Sequence, residues 1–262
     1  YWPSQWPYHG AYCGDIDITG LRKPISYYRQ ILWDETTPRF YMAVREPNHY
    51  HGQIDETSWS VWPTWESWTW PGWEGRDIEV EIYSRYPAVR LYLDDALIAE
   101  RPTTRAEQFK ATITLPYAPG TLKAVPVTAD GREVADQART LSTAGEPYAL
   151  HIEEERDTYA PNDGDHHLHY LYITVVDKEG RPVPEATNEL TITLKGRGKL
   201  IAFGNADMQE SSSMMDAVHS TWHGRAMAVI DGGSARKGSV RIKATSPGLR
   251  QAKCRVRNKR SR

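Results

Sequence analysis

Apolar and polar residues alternate with period two through most of the chain. In "RDIEVEIYS", Ile78, Val80 and Ile82 alternate with Glu79, Glu81 and Tyr83, the pattern of a half-buried antiparallel strand. "AVRLYLDDALIAE" reads as a hairpin: Val89, Leu91 and Leu93 point one way, Arg90 and Tyr92 the other, and Asp94-Asp95 forms the turn. "QFKATITLPYAPGTLKAVPVTADGREVAD" adds three strands, broken at Pro119-Gly120 and Asp130-Gly131. Strands at this spacing predict an immunoglobulin-like β-sandwich over residues 37–145. The style repeats over residues 146–262, after the joining segment "STAGEPY". There "LHYLYITVVDKEGRPVPEA" places Leu171, Ile173 and Val175 on one face before a turn, and "GSVRIKATSPGLRQAKCRVR" closes with two more strands. A second sandwich is expected, with the polar run "DMQESSSMMDA" as a long loop.

Helical periodicity is confined to "RKPISYYRQILW". Pro24 suits a first helical turn, and Ile25, Tyr28, Ile31 and Leu32 fall on one face. The loop before it is rich in Trp, Tyr, Pro and Gly. One helix with one aromatic loop has too little core to fold alone, so residues 1–36 are expected to end a larger domain. The opening "YWPSQWPYHG" carries no Met, and a segment upstream, with any targeting signal, is expected.

Six of the ten tryptophans fall within residues 59–73. Trp59, Trp62, Trp65 and Trp68 recur every third residue around Pro63, which suits neither a strand nor a helix interior. From Trp68 to Trp70 the spacing becomes two, an aromatic lead-in to the strand that follows. Such rings either stack on sugars or fill a wide junction. The junction is favoured, because a sugar platform needs only a few exposed rings. On that reading Trp68 and Trp70 share a buried face, and some of the earlier rings cover the helix.

Composition removes several function classes. A formal charge of −2 in 262 residues gives no nucleic-acid surface, and the basic tail "RVRNKRSR" reads as a solvated end. No apolar run approaches the length of a membrane span. The two cysteines, Cys13 and Cys254, lie in different predicted pieces, so a disulfide between them is not expected.

The string "GDIDITGLRKPISYYRQILW", through Gly14, Asp17, Gly20 and Lys23, resembles the end of the catalytic (β/α)8 barrel of glycoside hydrolase family 2. "SWTWPGWEGRDIEVEIYSRYPAVRLYLDDALIAERPTT" is similar to the first sandwich after the barrel in bacterial β-galactosidases of that family, where a Trp-Asn-Trp segment and an Asn-Gly hairpin turn occur. Here Thr69 replaces the Asn, and Asp94-Asp95 replaces Asn-Gly. "LYITVVDKEGRPVPEATNELTITLKGRGKLIAFGNAD" resembles the bacterial Ig-like domain that comes next. The resemblance implies a mostly β fold: a loop-helix remnant of a barrel followed by two Ig-like sandwiches. It implies a non-catalytic C-terminal portion of a retaining β-galactosidase, without a cofactor. The partners it implies are an upstream barrel and a carbohydrate substrate, and it allows a homo-oligomer. It favours a periplasmic or secreted location. The opening loop then follows the last barrel strand and borders the active site, making Trp2, Trp6, Tyr8 and His9 the candidate substrate contacts; packing against the barrel is the competing role.

Retaining glycosidases need two carboxyl groups about 5 Å apart on a rigid scaffold. The resemblance implies that both lie on barrel strands, so no catalytic residue is expected in this chain. Asn188-Glu189 imitates the family's acid/base pair but sits at the entry of a predicted strand, where a solvated edge is expected. Asp165, His166, His167 and His169 in "DGDHHLHY" have metal-ligand chemistry, yet a solvated turn is expected and no metal is assigned. Two alternatives remain open: a carbohydrate-binding module using the tryptophans, and a tandem Ig-like adhesin segment.

Overall fold

A computed structural model of the chain describes residues 6–8, 13–35, 40–55, 62–155, 167–233 and 238–258. The chain divides into two compact units, one of Tyr1–Pro3 with Ala11–Thr143 and one of Ser4–Gly10 with Ala144–Arg262.

The first unit carries helix α1 (Pro24–Trp33) and strands β1 (Phe40–Arg45), β2 (Thr64–Trp65), β3 (Asp77–Ser84), β4 (Ala88–Leu93), β5 (Ala96–Pro102), β6 (Lys110–Pro116), β7 (Thr121–Val127) and β8 (Arg139–Ser142). They form two four-stranded sheets, ordered β2-β1-β3-β6 and β5-β4-β7-β8. Pairing is antiparallel throughout, and the register sets Ile78, Val80 and Ile82 opposite Leu115, Ile113 and Ala111. These side chains, with Val89, Leu91, Leu122 and Ala124, build the core. The Asp94-Asp95 turn has φ of 47° and 64°, the signature of a type I′ hairpin turn, which Asp tolerates less readily than Asn-Gly. Compensation comes from β7: Asp94 Oδ1 accepts the Thr121 N–H at 2.8 Å, and Lys123 Nζ donates to Asp95 at 2.8 Å.

The alternating pattern is incomplete at β3. Glu81 and Tyr83, on the polar face of the pattern, are buried, because α1 covers that face. Tyr27 stacks on Tyr41 with ring centroids 4.1 Å apart, and Tyr28 lies 4.8 Å from Tyr83. Beneath the helix the Tyr83 hydroxyl donates to Glu81 at 2.6 Å, while Arg45 and Lys110 lie within 3.7 Å of the same carboxylate. Burial, reinforced by Glu81, holds the Tyr83 proton well above the ordinary phenol range. The helix face that packs is therefore Tyr27, Tyr28 and Ile31, rotated from the sequence expectation; Ile25 and Leu32 are half-buried. Arg85 donates to the carbonyls of Ile31 and Leu32 at 2.5 and 2.8 Å, satisfying acceptors that every helix C-terminus leaves open.

The second unit contains β9 (Ala149–Glu154), β10 (Leu168–Val176), β11 (Glu189–Lys195), β12 (Lys199–Gly204), β13 (Val218–Ser220), β14 (Arg225–Asp231), β15 (Ser239–Thr245) and β16 (Ala252–Arg257). Its sheets run β12-β14-β10-β9 and β13-β11-β15-β16. The inward face of β10 supplies Leu171, Ile173 and Val175, which meet Leu190, Ile192, Val240 and Ile242 from the facing sheet. Asp177, at the turn after β10, fixes the start of the unit. Its carboxylate accepts the N–H groups of Gly145, Glu179 and Arg181 at 2.9, 3.0 and 2.8 Å. Burial raises the Asp177 pKa, but these three bonds outweigh it and hold the carboxyl below the usual range. Gly224 has φ of 71° and sits so close to β10's continuation that a Cβ there would lie 2.2 Å from the Val183 carbonyl oxygen. Cys13 and Cys254 are free thiols; burial and then Glu154 push the Cys254 thiol up to about 11.

Two outcomes follow from this packing. Gly224→Ala, which meets backbone and a left-handed φ, lowers unfolding stability by at least about 2 kcal/mol in urea titration, whereas Gly145→Ala, with nothing nearer than 3.7 Å, does not. Because the folded Asp177 pKa is depressed, its contribution is complete above the unfolded value of 3.8 and disappears as pH falls through the folded value. Asp177→Asn is thus less stable than the parent chain at neutral pH, and the gap closes below about pH 4 in pH-dependent melts.

Candidate functional site

Two rings of the tryptophan run, Trp62 and Trp65, turn to one residue, Glu46. Glu46 follows β1 and is only 2% exposed, an environment in which polar atoms need hydrogen-bond partners. Its Oε2 accepts the Trp65 indole N–H at 2.7 Å, and its main-chain carbonyl accepts that of Trp62 at 2.9 Å. His51 Nδ1 lies 3.2 Å from Oε1, and the Glu46 N–H donates to the Pro63 carbonyl at 2.9 Å. Arg45 stacks over the Trp62 ring, 4.6 Å from its centroid. The three-residue spacing of Trp62 and Trp65 therefore brings two indole donors onto successive acceptors of a single residue. β2, of which Trp65 is part, pairs with β1 through Val44 and Arg45.

Trp68 and Trp70 are fully enclosed, at 0% and 2% exposure, within the sandwich core, as the two-residue spacing predicts. They do not lie on a strand, however: residues 66–76 are irregular, and β3 begins at Asp77. The Trp68 indole donates to the Ala118 carbonyl at 3.0 Å and its ring meets Tyr117 edge-on at 5.0 Å. The Tyr117 hydroxyl accepts the main-chain N–H of Trp70 at 3.1 Å, and Thr143 Oγ1 donates to the Trp68 carbonyl at 2.8 Å. Tyr50 packs edge-on against both Trp70 and Trp73. The indole N–H of Trp70 meets no acceptor among the described residues, so that ring acts through packing. Thr69, where the resembled sandwich has Asn, is buried with its N–H on Ser67 Oγ at 3.1 Å. Of the earlier rings, Trp62 and Trp65 turn to Glu46, and Tyr41, Ala43, Tyr83 and Phe109 pack with the inner face of α1. Trp59 lies outside the described residues.

The barrel-end motif has a structural logic. Asp17 Oδ1 accepts the N–H groups of Thr19 and Leu21 at 2.8 and 3.1 Å and the Thr19 hydroxyl at 2.7 Å, while Gly14 and Gly20 take φ of 99° and 88°. Glycine is required at such turns, and Asp closes them onto α1. Arg29 pairs with Asp15 across the same turn. Burial lowers the Lys23 ammonium below its ordinary value, opposed by Asp17.

Of the candidate substrate contacts, Trp2 and His9 lie outside the described residues. Trp6 is 78% exposed. Tyr8 is half-buried, and its hydroxyl accepts Gln209 Nε2 at 2.9 Å. Gln209 belongs to the polar loop between β12 and β13, which composition identified only as a loop. Glu46 and His51 were also missed, since a single acidic residue among many carries no sequence signal of burial.

The histidine cluster is partly described. Asp165 and His166 lie outside the described residues, and His167 is half-buried. His169 departs from a solvated turn: it is buried on β10, with Nδ1 2.7 Å from Glu154 and Nε2 3.3 Å from Asn258 Oδ1. Among the described residues no group of three or more His, Cys, Asp and Glu is arranged to hold a metal ion. Glu189 is exposed at the first position of β11, opposite Ser220. No helix among the described residues is long and apolar enough to cross a membrane.

Known proteins match this chain in sequence and fold. Residues 150–255 match the glycoside hydrolase family 2 C-terminal domain 5, and residues 75–135 match a domain of unknown function, DUF4982. The chain is 23% identical over 251 residues to the beta-galactosidase BoGH2A of Bacteroides ovatus, covering 95% of this chain and 26% of that protein. Among solved structures, a glycosyl hydrolase family 2 member from Bacteroides cellulosilyticus matches with a TM-score of 0.82 at 29% identity, over 97% of this chain and 32% of that one. A beta-glycosidase from Bacteroides vulgatus shares the fold, with a TM-score of 0.77 at 22% identity over 97% of this chain and 29% of that one.

The packing roles of the rings separate by mutation. Trp68→Ala and Trp70→Ala each lower unfolding stability by about 3 to 5 kcal/mol, and Trp73→Ala by less than half of that. Trp70→Phe is tolerated better than Trp68→Phe, because only the latter leaves a carbonyl acceptor, that of Ala118, without its donor. Denaturant melts of the five variants check this order. In sequence and in fold, then, residues 150–255 match the C-terminal domain 5 of glycoside hydrolase family 2, and the chain as a whole is similar to about a quarter to a third of the length of larger proteins of that family.

Proposed function

We propose that the chain serves a retaining β-galactosidase as the scaffold behind its catalytic barrel, with residues 1–36 as the barrel's last loop and helix and residues 37–145 and 146–262 as two Ig-like sandwiches. The observation that carries this reading is the attachment of α1. The helix is fastened to the first sandwich by the tyrosine stack and by Arg85 on its terminal carbonyls. Its other side leaves Trp33 76% exposed, and the turn before it leaves Ile16 and Ile18 exposed. Large apolar side chains exposed at such places suit burial against a further domain. The beta-galactosidase BoGH2A is about four times as long as the matched region, which leaves room for such a barrel. The sugar specificity rests on that relative's name alone. Catalysis by two carboxyl groups about 5 Å apart requires an enclosed, rigid pair, and the exposed position of Glu189 does not suit either role.

The purified chain is therefore expected to release no nitrophenol from nitrophenyl β-galactoside, while the full-length enzyme does so with retention of anomeric configuration. Turnover by the chain that survives stringent purification and is lost in Glu189→Gln would overturn the proposal. In the full-length enzyme Trp33→Asp, placing a charge in the proposed contact with the barrel, lowers the melting temperature; in the isolated chain it does not.

A further inference from the structure

The contact between Tyr8 and Gln209 joins residues 201 positions apart. Gln209 is presented by a loop with a defined conformation. Asn205 is buried, and its amide donates to the Ser220 carbonyl at 2.8 Å. Asn205 Oδ1 in turn accepts the Asp207 N–H at 2.8 Å, and Asp207 Oδ1 accepts the Gln209 N–H at 2.9 Å. Met208 is buried beneath this run, so its neighbour Gln209 faces outward. The far end of the loop is held by His219, which is buried and bonded to Ser212 Oγ at 3.0 Å and the Ser213 carbonyl at 2.9 Å, with its ring edge-on to Phe203. A side chain on such a support is placed in advance of any ligand, which reduces the ordering that binding requires.

We propose that Gln209 of the second unit is a saccharide-contacting residue, acting with Trp6 and Tyr8 on the leaving-group side of a β-galactosyl oligosaccharide. The inference rests on the reading of the opening loop as a substrate loop. Its chemistry suits a sugar: an indole face takes the C–H surface of a pyranose, and a carboxamide both donates to and accepts from neighbouring hydroxyls. One amide hydrogen of Gln209 is directed to the Tyr8 oxygen, which leaves its carbonyl and second hydrogen facing outward. The exposure of Trp6 and Gln209 argues for the outer part of a ligand, since the terminal galactosyl group needs an enclosed pocket.

The test uses the full-length enzyme with Gln209→Ala, Gln209→Met, Tyr8→Ala and Trp6→Ala. Two substrates are compared, a β-galactosyl disaccharide and nitrophenyl β-galactoside. Loss of one sugar hydrogen bond, about 1 kcal/mol, corresponds to about a fivefold rise in KM. That rise is expected for the disaccharide in both Gln209 variants, with kcat and the melting temperature unchanged and with nitrophenyl galactoside unaffected. Gln209→Met keeps the side-chain length, so a result is obtained even if Gln209→Ala disturbs the loop. An unchanged disaccharide KM in both Gln209 variants, beside a raised one in Tyr8→Ala or Trp6→Ala, overturns this inference and leaves the substrate-loop reading standing. Unchanged KM in all four variants overturns both. Equal effects on the two substrates would assign Gln209 to support of the fold and also overturn the inference.

Discussion

A buried carboxylate must be surrounded by donors, and in the first unit that requirement at Glu46 organises the most unusual part of the sequence. Residues 62–76 have almost no strand structure of their own, yet they bring large rings into and around a sandwich core. An irregular segment cannot hide its polar groups in a ladder. Here the indoles of Trp62 and Trp65 close on Glu46, that of Trp68 on Ala118, and that of Trp73 on Asp77. Each ring thus supplies apolar area and a donor at once, which no aliphatic residue could do. This double demand accounts for Trp62, Trp65, Trp68 and Trp73, while Trp70 serves by packing alone.

The same principle explains the attachment of α1. Its inner face offers tyrosines to a strand whose outward residues are Glu81 and Tyr83, and the polar atoms of those residues satisfy one another beneath the helix. The helix end is completed by its own C-cap, the Asp34 N–H on the Gln30 carbonyl, and from the sandwich by Arg85 on the next two carbonyls. A helix bound in this way on one side, with Trp33 exposed at its end, is suited to couple two domains.

Much of the fold was legible in sequence. Period-two alternation located β3, β4, β10 and β15, because each has one face on a core. The enclosure of Trp68 and Trp70 was legible from their spacing, although the absence of a strand there was not. Three features were hidden for a common reason: they depend on what a second element covers. The burial of Glu81 and Tyr83 follows from α1, that of Glu46 from two indoles, and that of His169 from Glu154 and Asn258. Charge and polarity predict exposure until such a partner is known. The candidate substrate loop was read from resemblance, and its link to Gln209 has no local signal, since the two lie at opposite ends of the chain.

The central claim, that Glu46 orders the tryptophan segment by accepting its indole donors, is tested most directly by a double-mutant cycle of Glu46→Met, which keeps the side-chain length without the oxygen acceptor, and Trp65→Phe read by urea unfolding. Trp65→Phe keeps most of the ring and removes the N–H, so the cycle isolates the bond between the two side chains. A side-chain hydrogen bond predicts a coupling of about 0.5 to 1.5 kcal/mol. Additive effects of the two substitutions, or single variants as stable as the parent chain, would contradict the account.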